Sequence, residues 1–248
     1  MKNKTEAPDN LDKEDIKIKT TELVNEISDL ATTLYAEKKH SVLVILQGMD
    51  AAGKDGVTKN VFCNVSPEFV RFQAFKKPSE EELAHDFLWR AHKVVPEKGE
   101  ITIFNRSHYE DILIQYVHGW IDDKRRDMRM DAINAFEKLL EADNDTTILK
   151  FFLNISYQKQ EEKLTERVTI RKKQWKHTDS DWEERKLWDK YQSAYNYIFD
   201  NSKIKWINVP CDHEWYRNYV VAKELHQTLT DLNPKYPELV SNLFKNKN

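Results

Sequence analysis

The sequence is poor in glycine and cysteine, is close to neutral, and contains no long apolar run. Only five of its 248 residues are glycine. Two cysteines, Cys63 and Cys211, are too few for a disulfide framework or a cysteine metal cluster, and both read as small buried residues. Without a run of about 18 apolar residues there is no membrane span. The polar segment Met1 to Lys19 lacks a signal-peptide core. These absences suit a cytoplasmic protein of bacterial type with no membrane partner. A net charge of −3, with 33 % charged residues, gives no overall pull toward nucleic acid. There are no internal repeats or low-complexity linkers.

Three of the five glycines fall within nine residues, Gly48-Met49-Asp50-Ala51-Ala52-Gly53-Lys54-Asp55-Gly56. An apolar β-type run, Val42 to Leu46, precedes them, and Val57 to Asn64 can continue as a helix. Strand, glycine loop and helix in that order form a P-loop, a phosphate cradle. Glycine lets bare backbone approach phosphate, the loop N–H groups point inward, and the helix N-terminus adds positive partial charge. Gly48, Ala51, Ala52, Gly53, Asp55 and Gly56 are therefore candidate phosphate-binding positions, and Lys54 supplies a full cation. Asp55 replaces the usual Mg²⁺-holding Ser or Thr, and Asp50 adds a second carboxylate. Two acids beside a phosphate would repel it unless a divalent cation intervened. The loop thus predicts that Asp50 approaches Mg²⁺, directly or through water. The alternative is a glycine turn capping a helix, with Lys54 solvated.

Along the chain, elements alternate as in an α/β fold. Residues 1–14 read as a frayed polar extension. Leu23, Ile27, Leu30 and Leu34 recur at helical spacing. A short second strand is expected over 68–73. Ser79 with Glu82 makes a capping box that starts a helix running to about Lys93. Within it, His85, Trp89 and His92 share a face, as a packed or surface group rather than a metal site. Ile101 to Phe104 is the third strand, Asp122 to Glu141 a helix, and Thr147 to Leu153 the fourth strand, apolar enough to be buried. A long aromatic helix is expected over 181–199, a fifth strand over 204–209, and a last helix capped by Asp212.

Candidate ligands gather after the strands, where open α/β sheets bind them. Lys76 and Lys77 precede the 79–93 helix, as ligands or as solvated lysines. The third strand delivers Asn105, Arg106, Glu110 and Asp111. Arg106 suits a phosphate clamp through its planar fork. Glu110 and Asp111 either contact metal or are acids favoured by a helix N-terminus. From Lys163 to Lys176 there are six basic residues and one acid, Glu166. A solvated helix face would explain this run. So would a mobile cationic lid closing over the phosphate site. A long polyanion would need several such cations. His213 fits a general base, a cap or packing equally.

Together, Gly48 to Gly56, Phe75 to Pro78, Asp86 to Arg90, Phe104 to Asp111, Glu166-Arg167, Trp175-Lys176 and Pro210 to Asn218 resemble the family-2 polyphosphate kinases over roughly residues 20 to 230. The resemblance implies a three-layer αβα P-loop kinase fold with a five-stranded, mainly parallel sheet and a helical lid at about 157–190, all in one domain. It implies Mg²⁺-dependent transfer of phosphoryl groups between inorganic polyphosphate and nucleoside mono- and diphosphates, AMP/ADP with GMP/GDP as further acceptors, in a homo-oligomer. It carries over Asp50 and Lys54, Arg106, and Arg167 on the lid as catalytic residues. Many members have Asp at position 105 and lack Glu at 110. Asn105 with Glu110 looks like the class III subgroup, with Glu110 joining Asp50 at the metal. Polyphosphate is then expected along Lys76, Arg106, Arg167 and Lys173. The rivals are an ATP-dependent nucleoside monophosphate kinase and a non-enzymatic nucleotide-binding module.

Overall fold

The computed structural model describes residues 4–241 and 243. Five strands, β1 (Ser41–Gln47), β2 (Val70–Ala74), β3 (Ile101–Asn105), β4 (Thr146–Asn154) and β5 (Trp206–Pro210), form one sheet in the order β2-β3-β1-β4-β5, and every pairing is parallel. β1 lies at the centre with all seven residues buried, as its uninterrupted apolar run requires of a strand covered on both faces. The register pairs Leu46 with Asn105 and Gln47 with Phe152. Parallel strands in that register end together. The loops after β1, β3, β4 and β5 therefore share one edge of the sheet, where the candidate ligands of the sequence converge.

Helices cover both faces. α1 (Lys13–Glu37) packs along α10 (Glu214–Leu232). Ile27, Ala31, Leu34, Leu225 and Leu229 are fully buried in the core that includes this pair. At roughly 1.5–3 kcal/mol for each large apolar side chain removed from water, such burial is the main favourable contribution. α2 (Lys54–Val61) follows the glycine loop, α5 (Glu110–Val117) follows β3, and α6 (Asp123–Asn144) leads into β4. Between β4 and the core helix α9 (Trp188–Asn201) lie α7 (Tyr157–Thr169), a 3-10 turn (Arg171–Lys176) and α8 (Asp179–Arg185).

Several expectations are corrected. The 79–93 helix is two short ones, α3 (Glu80–Leu83) and α4 (Trp89–His92), although the Ser79–Glu82 capping box forms. Between them, Asp86 Oδ1 accepts from Leu88 N at 3.0 Å, a local bond that competes with the helical ladder. The 181–199 helix is likewise split. Arg185 turns inward to donate to Tyr157 O and Gln160 Oε1, which ties α8 to α7, while α9 packs Tyr191, Tyr195 and Ile198 into the core. Asp212 does not cap α10. His213 holds that position, and Asp212 Oδ1 accepts from Ser156 N, joining the ends of β5 and β4. Residues 4–12 are not frayed: Asp212 N donates to Thr5 O, Asn208 donates to Lys4 O, and Asp12 caps α1. Cys211 is buried as expected, but Cys63 is exposed.

Candidate active site

The loop after β1 has the backbone that its glycines foretell. Gly48 has φ +155°, and a Cβ there would lie 2.5 Å from Leu153 O on β4. Gly53 is left-handed at φ +98° and forms the N-cap of α2. Lys54 is buried, and its Nζ donates to Gly48 O at 2.7 Å and Met49 O at 3.1 Å, so the ammonium lies curled beneath the loop. Burial pushes its pKa down, against the pull of Asp50. Ala52 faces the core, and its N–H is spent on Met49 O.

The loop after β3 brings its side chains to the same place. Arg106 is left-handed at φ +60° without being glycine, a conformation retained only where the surroundings fix it. Those surroundings are Ser107, His108 and Tyr109, each with no exposed surface. Tyr109 OH donates to Glu137 and accepts from Lys150, which is itself paired with Glu137 at 2.7 Å, all in the core. So held, Arg106 reaches Asp50 through Nη2 at 2.5 Å and approaches Glu110 through Nη1 at 3.7 Å. Burial alone would raise the Asp50 carboxyl, but Arg106 and Lys54 outweigh it and hold it below the usual carboxylate range. Glu110 Oε1 also accepts from Gln47 Nε2 at 2.9 Å. Asp111, by contrast, faces away into a buried pair with Arg90 at 2.7 Å, which settles it as structural.

Two cavities meet at this pair of loops. The larger, of about 600 Å³, is bordered by Asp50, Ala51, Gly53 to Gly56, Lys76, Asn105 and Arg106 on the sheet side. Arg167, Lys173 and Lys176, from the segment after β4, border it opposite. The smaller, of about 200 Å³, lies among Gly48, Asp50, Arg106, Glu110, Asp181 and Tyr195. Of the sequence-derived candidates, Gly48, Asp50, Ala51, Gly53 to Gly56, Lys76, Asn105, Arg106, Glu110, Arg167 and Lys173 border one or both cavities, whereas Ala52, Lys77, Asp111 and His213 border neither. The basic residues opposite the loop are not free. Arg167 bonds Asp181 at 2.6 Å, Lys173 bonds Glu166 at 2.5 Å, and Lys176 bonds Asp55 at 3.1 Å. Asp55 also accepts from Asn105 at 3.0 Å, a contact that a second carboxylate at position 105 would turn repulsive.

A family model described as Polyphosphate kinase 2 (PPK2) matches residues 10–237. The chain belongs to the polyphosphate kinase 2 family. An AMP/ADP-polyphosphate phosphotransferase of Meiothermus ruber is 46 % identical over 215 residues, covering 86 % of this chain and 80 % of that protein. An ADP-polyphosphate phosphotransferase of Rhodopseudomonas palustris is 38 % identical over 230 residues, covering 87 % and 79 %. The crystal structure of polyphosphate kinase 2 from Arthrobacter aurescens TC1 superposes with a TM-score of 0.91 at 37 % identity, over 94 % of this chain and 84 % of that one. The expected family and the three-layer P-loop kinase fold are thereby borne out, with a sheet that is wholly parallel. Among the described residues no helix is long and apolar enough to cross a membrane.

Kinases of this kind work on phosphates that carry a divalent cation. Among the described residues there is no group of three or more His, Cys, Asp or Glu side chains placed to enclose a metal. Asp50 and Glu110 supply two hard oxygen donors beside the cradle. Next to Glu110, the buried Gln47 Oε1 has no hydrogen-bond partner. Such a donor set fits Mg²⁺, which keeps most of its waters and is held by one or two carboxylates plus substrate phosphates. It does not fit zinc, which favours His and Cys. His85 and His92 are accounted for by packing: His85 stacks on Trp89 and His92 meets the edge of Phe136.

Sequence reasoning missed the carboxylates opposite the loop. It also missed Glu214 and Arg217, which border the larger cavity together with Lys163, the first residue of the basic run. Arg217 lies within the Pro210 to Asn218 segment, but nothing local to that segment points at the loop, whose residues lie some 160 positions earlier.

Proposed function

We propose that this chain transfers phosphoryl groups between inorganic polyphosphate and nucleoside mono- and diphosphates, with AMP and ADP as acceptors and GMP and GDP as further ones. The observation that carries the reading is the larger cavity, a P-loop cradle faced by several cations from the 157–190 segment. A mononucleotide alone does not need that many cations, whereas a chain of linked phosphates does. The activities for which the Meiothermus ruber and Rhodopseudomonas palustris relatives are named support it. In this reading the 157–190 segment is a lid within a single domain. The enzyme is cytoplasmic and homo-oligomeric, acting on free phosphates with neither nucleic acid nor membrane as partner.

The chemistry follows from the charges. A terminal phosphate oxygen of the nucleotide attacks the end phosphorus of the polymer. One P–O bond forms, one P–O bond of the anhydride breaks, and the polymer leaves one unit shorter. The attacking oxygen is already anionic at neutral pH, so no general base is required. Catalysis reduces to positioning and electrostatic stabilisation. Lys54 exchanges its two carbonyl contacts for phosphate oxygens. Arg106 stabilises charge on the transferring group, and Gly53 to Gly56 offer the N-terminus of α2. Lys76, Arg167 and Lys173 hold the polymer. Asp50 and Glu110 would hold Mg²⁺, which when bound neutralises phosphate charge. Incubating the protein with Mg²⁺, polyphosphate and AMP or ADP tests the reading. Formation of ADP and ATP supports it, and turnover only when ATP replaces polyphosphate would favour a nucleoside monophosphate kinase.

A further inference from the structure

Glycine within a helix is unfavourable relative to alanine, yet Gly56 is the third residue of α2, in its first turn. The reason lies on α10. A Cβ on Gly56 would come within 2.6 Å of Arg217 Nη2, and one on Gly53 within 1.9 Å of Nη1. Both separations are shorter than real Cβ contacts allow. The two glycines after the turn therefore open a seat for the Arg217 guanidinium against the first turn of α2.

Arg217 is only 4 % exposed, and it borders the larger cavity. Its side-chain hydrogen bonds go to its own neighbour, Asn218 Oδ1, from Nε at 3.3 Å and Nη2 at 3.1 Å. Among the described residues no carboxylate lies within ion-pairing distance. Glu214, one turn earlier on α10, is taken by Lys163 at 2.9 Å. The contrast with the opposite wall is direct. Arg167, Lys173 and Lys176 each have an acid partner, whereas this buried cation has none. A guanidinium withdrawn from water without an anion is costly, and among the described residues Nη1 has no protein acceptor.

We propose that Arg217 is a phosphate-binding residue, holding a phosphate of the polyphosphate donor against the first turn of α2 beside the P-loop. The donor is assigned because Arg217 shares the larger cavity with the basic residues Lys163, Lys173 and Lys176. Gly56 serves this role by its lack of a side chain. The inference rests on the polyphosphate reading above.

The test is direct binding of inorganic polyphosphate by calorimetry, without nucleotide, to the wild type and to Arg217→Met, Arg217→Lys and Gly56→Ala. The last variant keeps the charge but obliges the guanidinium to shift from its present place, and the alanine favours the helix. Loss of a charge-assisted contact should weaken polyphosphate binding about tenfold or more in Arg217→Met and Gly56→Ala, with partial recovery in Arg217→Lys. In Arg217→Met and Arg217→Lys the KM for ADP should stay within about twofold of wild type. Polyphosphate affinity within about twofold of wild type in both variants overturns the assignment, as does a change confined to the KM for ADP. If Arg217→Met does not fold, Gly56→Ala decides. A wild type that binds no polyphosphate would instead sink the functional reading itself.

Discussion

Arg106 Nη2 lies 2.5 Å from Asp50 Oδ1, joining the loop after β3 to the P-loop across the mouth of the site. Both side chains are partly exposed, at 34 % and 28 %, so the pair is open to an arriving phosphate. In the proposed mechanism an arriving phosphate would take Arg106, and Asp50 would be one of the two carboxylates that hold Mg²⁺, which would neutralise phosphate charge there.

Removing Arg106 should therefore act on the chemical step more than on folding. For Arg106→Ala we expect a loss of about 2–4 kcal/mol in transition-state stabilisation, by analogy with single-donor losses at other oxyanion sites. Steady-state kinetics with saturating polyphosphate and ADP measures it. Wild-type kcat in that variant would remove Arg106 from the mechanism.

Asp50 carries a pH dependence of definite sign. Its folded pKa lies below the ordinary 3.8 because Arg106 and Lys54 outweigh the effect of burial. The unfolded chain therefore binds the proton more readily. The stabilisation from the ionised carboxylate is fully present above 3.8 and is lost as pH falls through the lowered folded value. Asp50→Asn should flatten this acid limb in urea-unfolding curves collected as a function of pH. An unchanged limb would show that Asp50 does not feel the two cations.

The Lys150–Glu137 pair, with Tyr109 bonded to both, lies wholly in the core. Lys150→Met should cost about 3–5 kcal/mol, because Glu137 keeps a buried charge without its partner. The double change Lys150→Met with Glu137→Leu should recover most of that loss. Chemical denaturation reads both. A single variant as stable as wild type would mean that the pair carries no such coupling.

Lys176 joins the 157–190 segment to Asp55 at 3.1 Å, and both side chains are well exposed. Such a pair contributes little to stability, on the order of 0–1 kcal/mol. Lys176→Met should leave the Tm nearly unchanged while raising the KM for polyphosphate roughly two- to fivefold, the equivalent of 0.5–1 kcal/mol for one exposed cation. An unaltered KM would exclude Lys176 from the polymer path.

Much of this site was legible along the chain because its signals are local. Glycine spacing after an apolar run placed the cradle, and the position of Arg106 and Glu110 after β3 placed the second loop. What stayed hidden depends on side chains that meet across the fold. Lys150 sits in a strand whose apolar run conceals that a charge is buried there. Asp111 could not be told from Glu110 until Arg90, 21 residues earlier, claimed it. The helices expected over 79–93 and 181–199 were broken by side-chain bonds, Asp86 to Leu88 and Arg185 to α7, which helical periodicity does not encode. Gly56 was visible as a glycine, but its reason, Arg217, lies on the last helix.

The most direct measurement is nucleotide product formation from purified protein given Mg²⁺ and inorganic polyphosphate, with AMP in one reaction and ADP in another and no ATP supplied. The account predicts ADP and ATP from AMP, ATP from ADP, and a polymer that shortens in step. Nucleotides and polymer that all remain unchanged, from a protein that is folded and binds Mg²⁺-ADP, would contradict it.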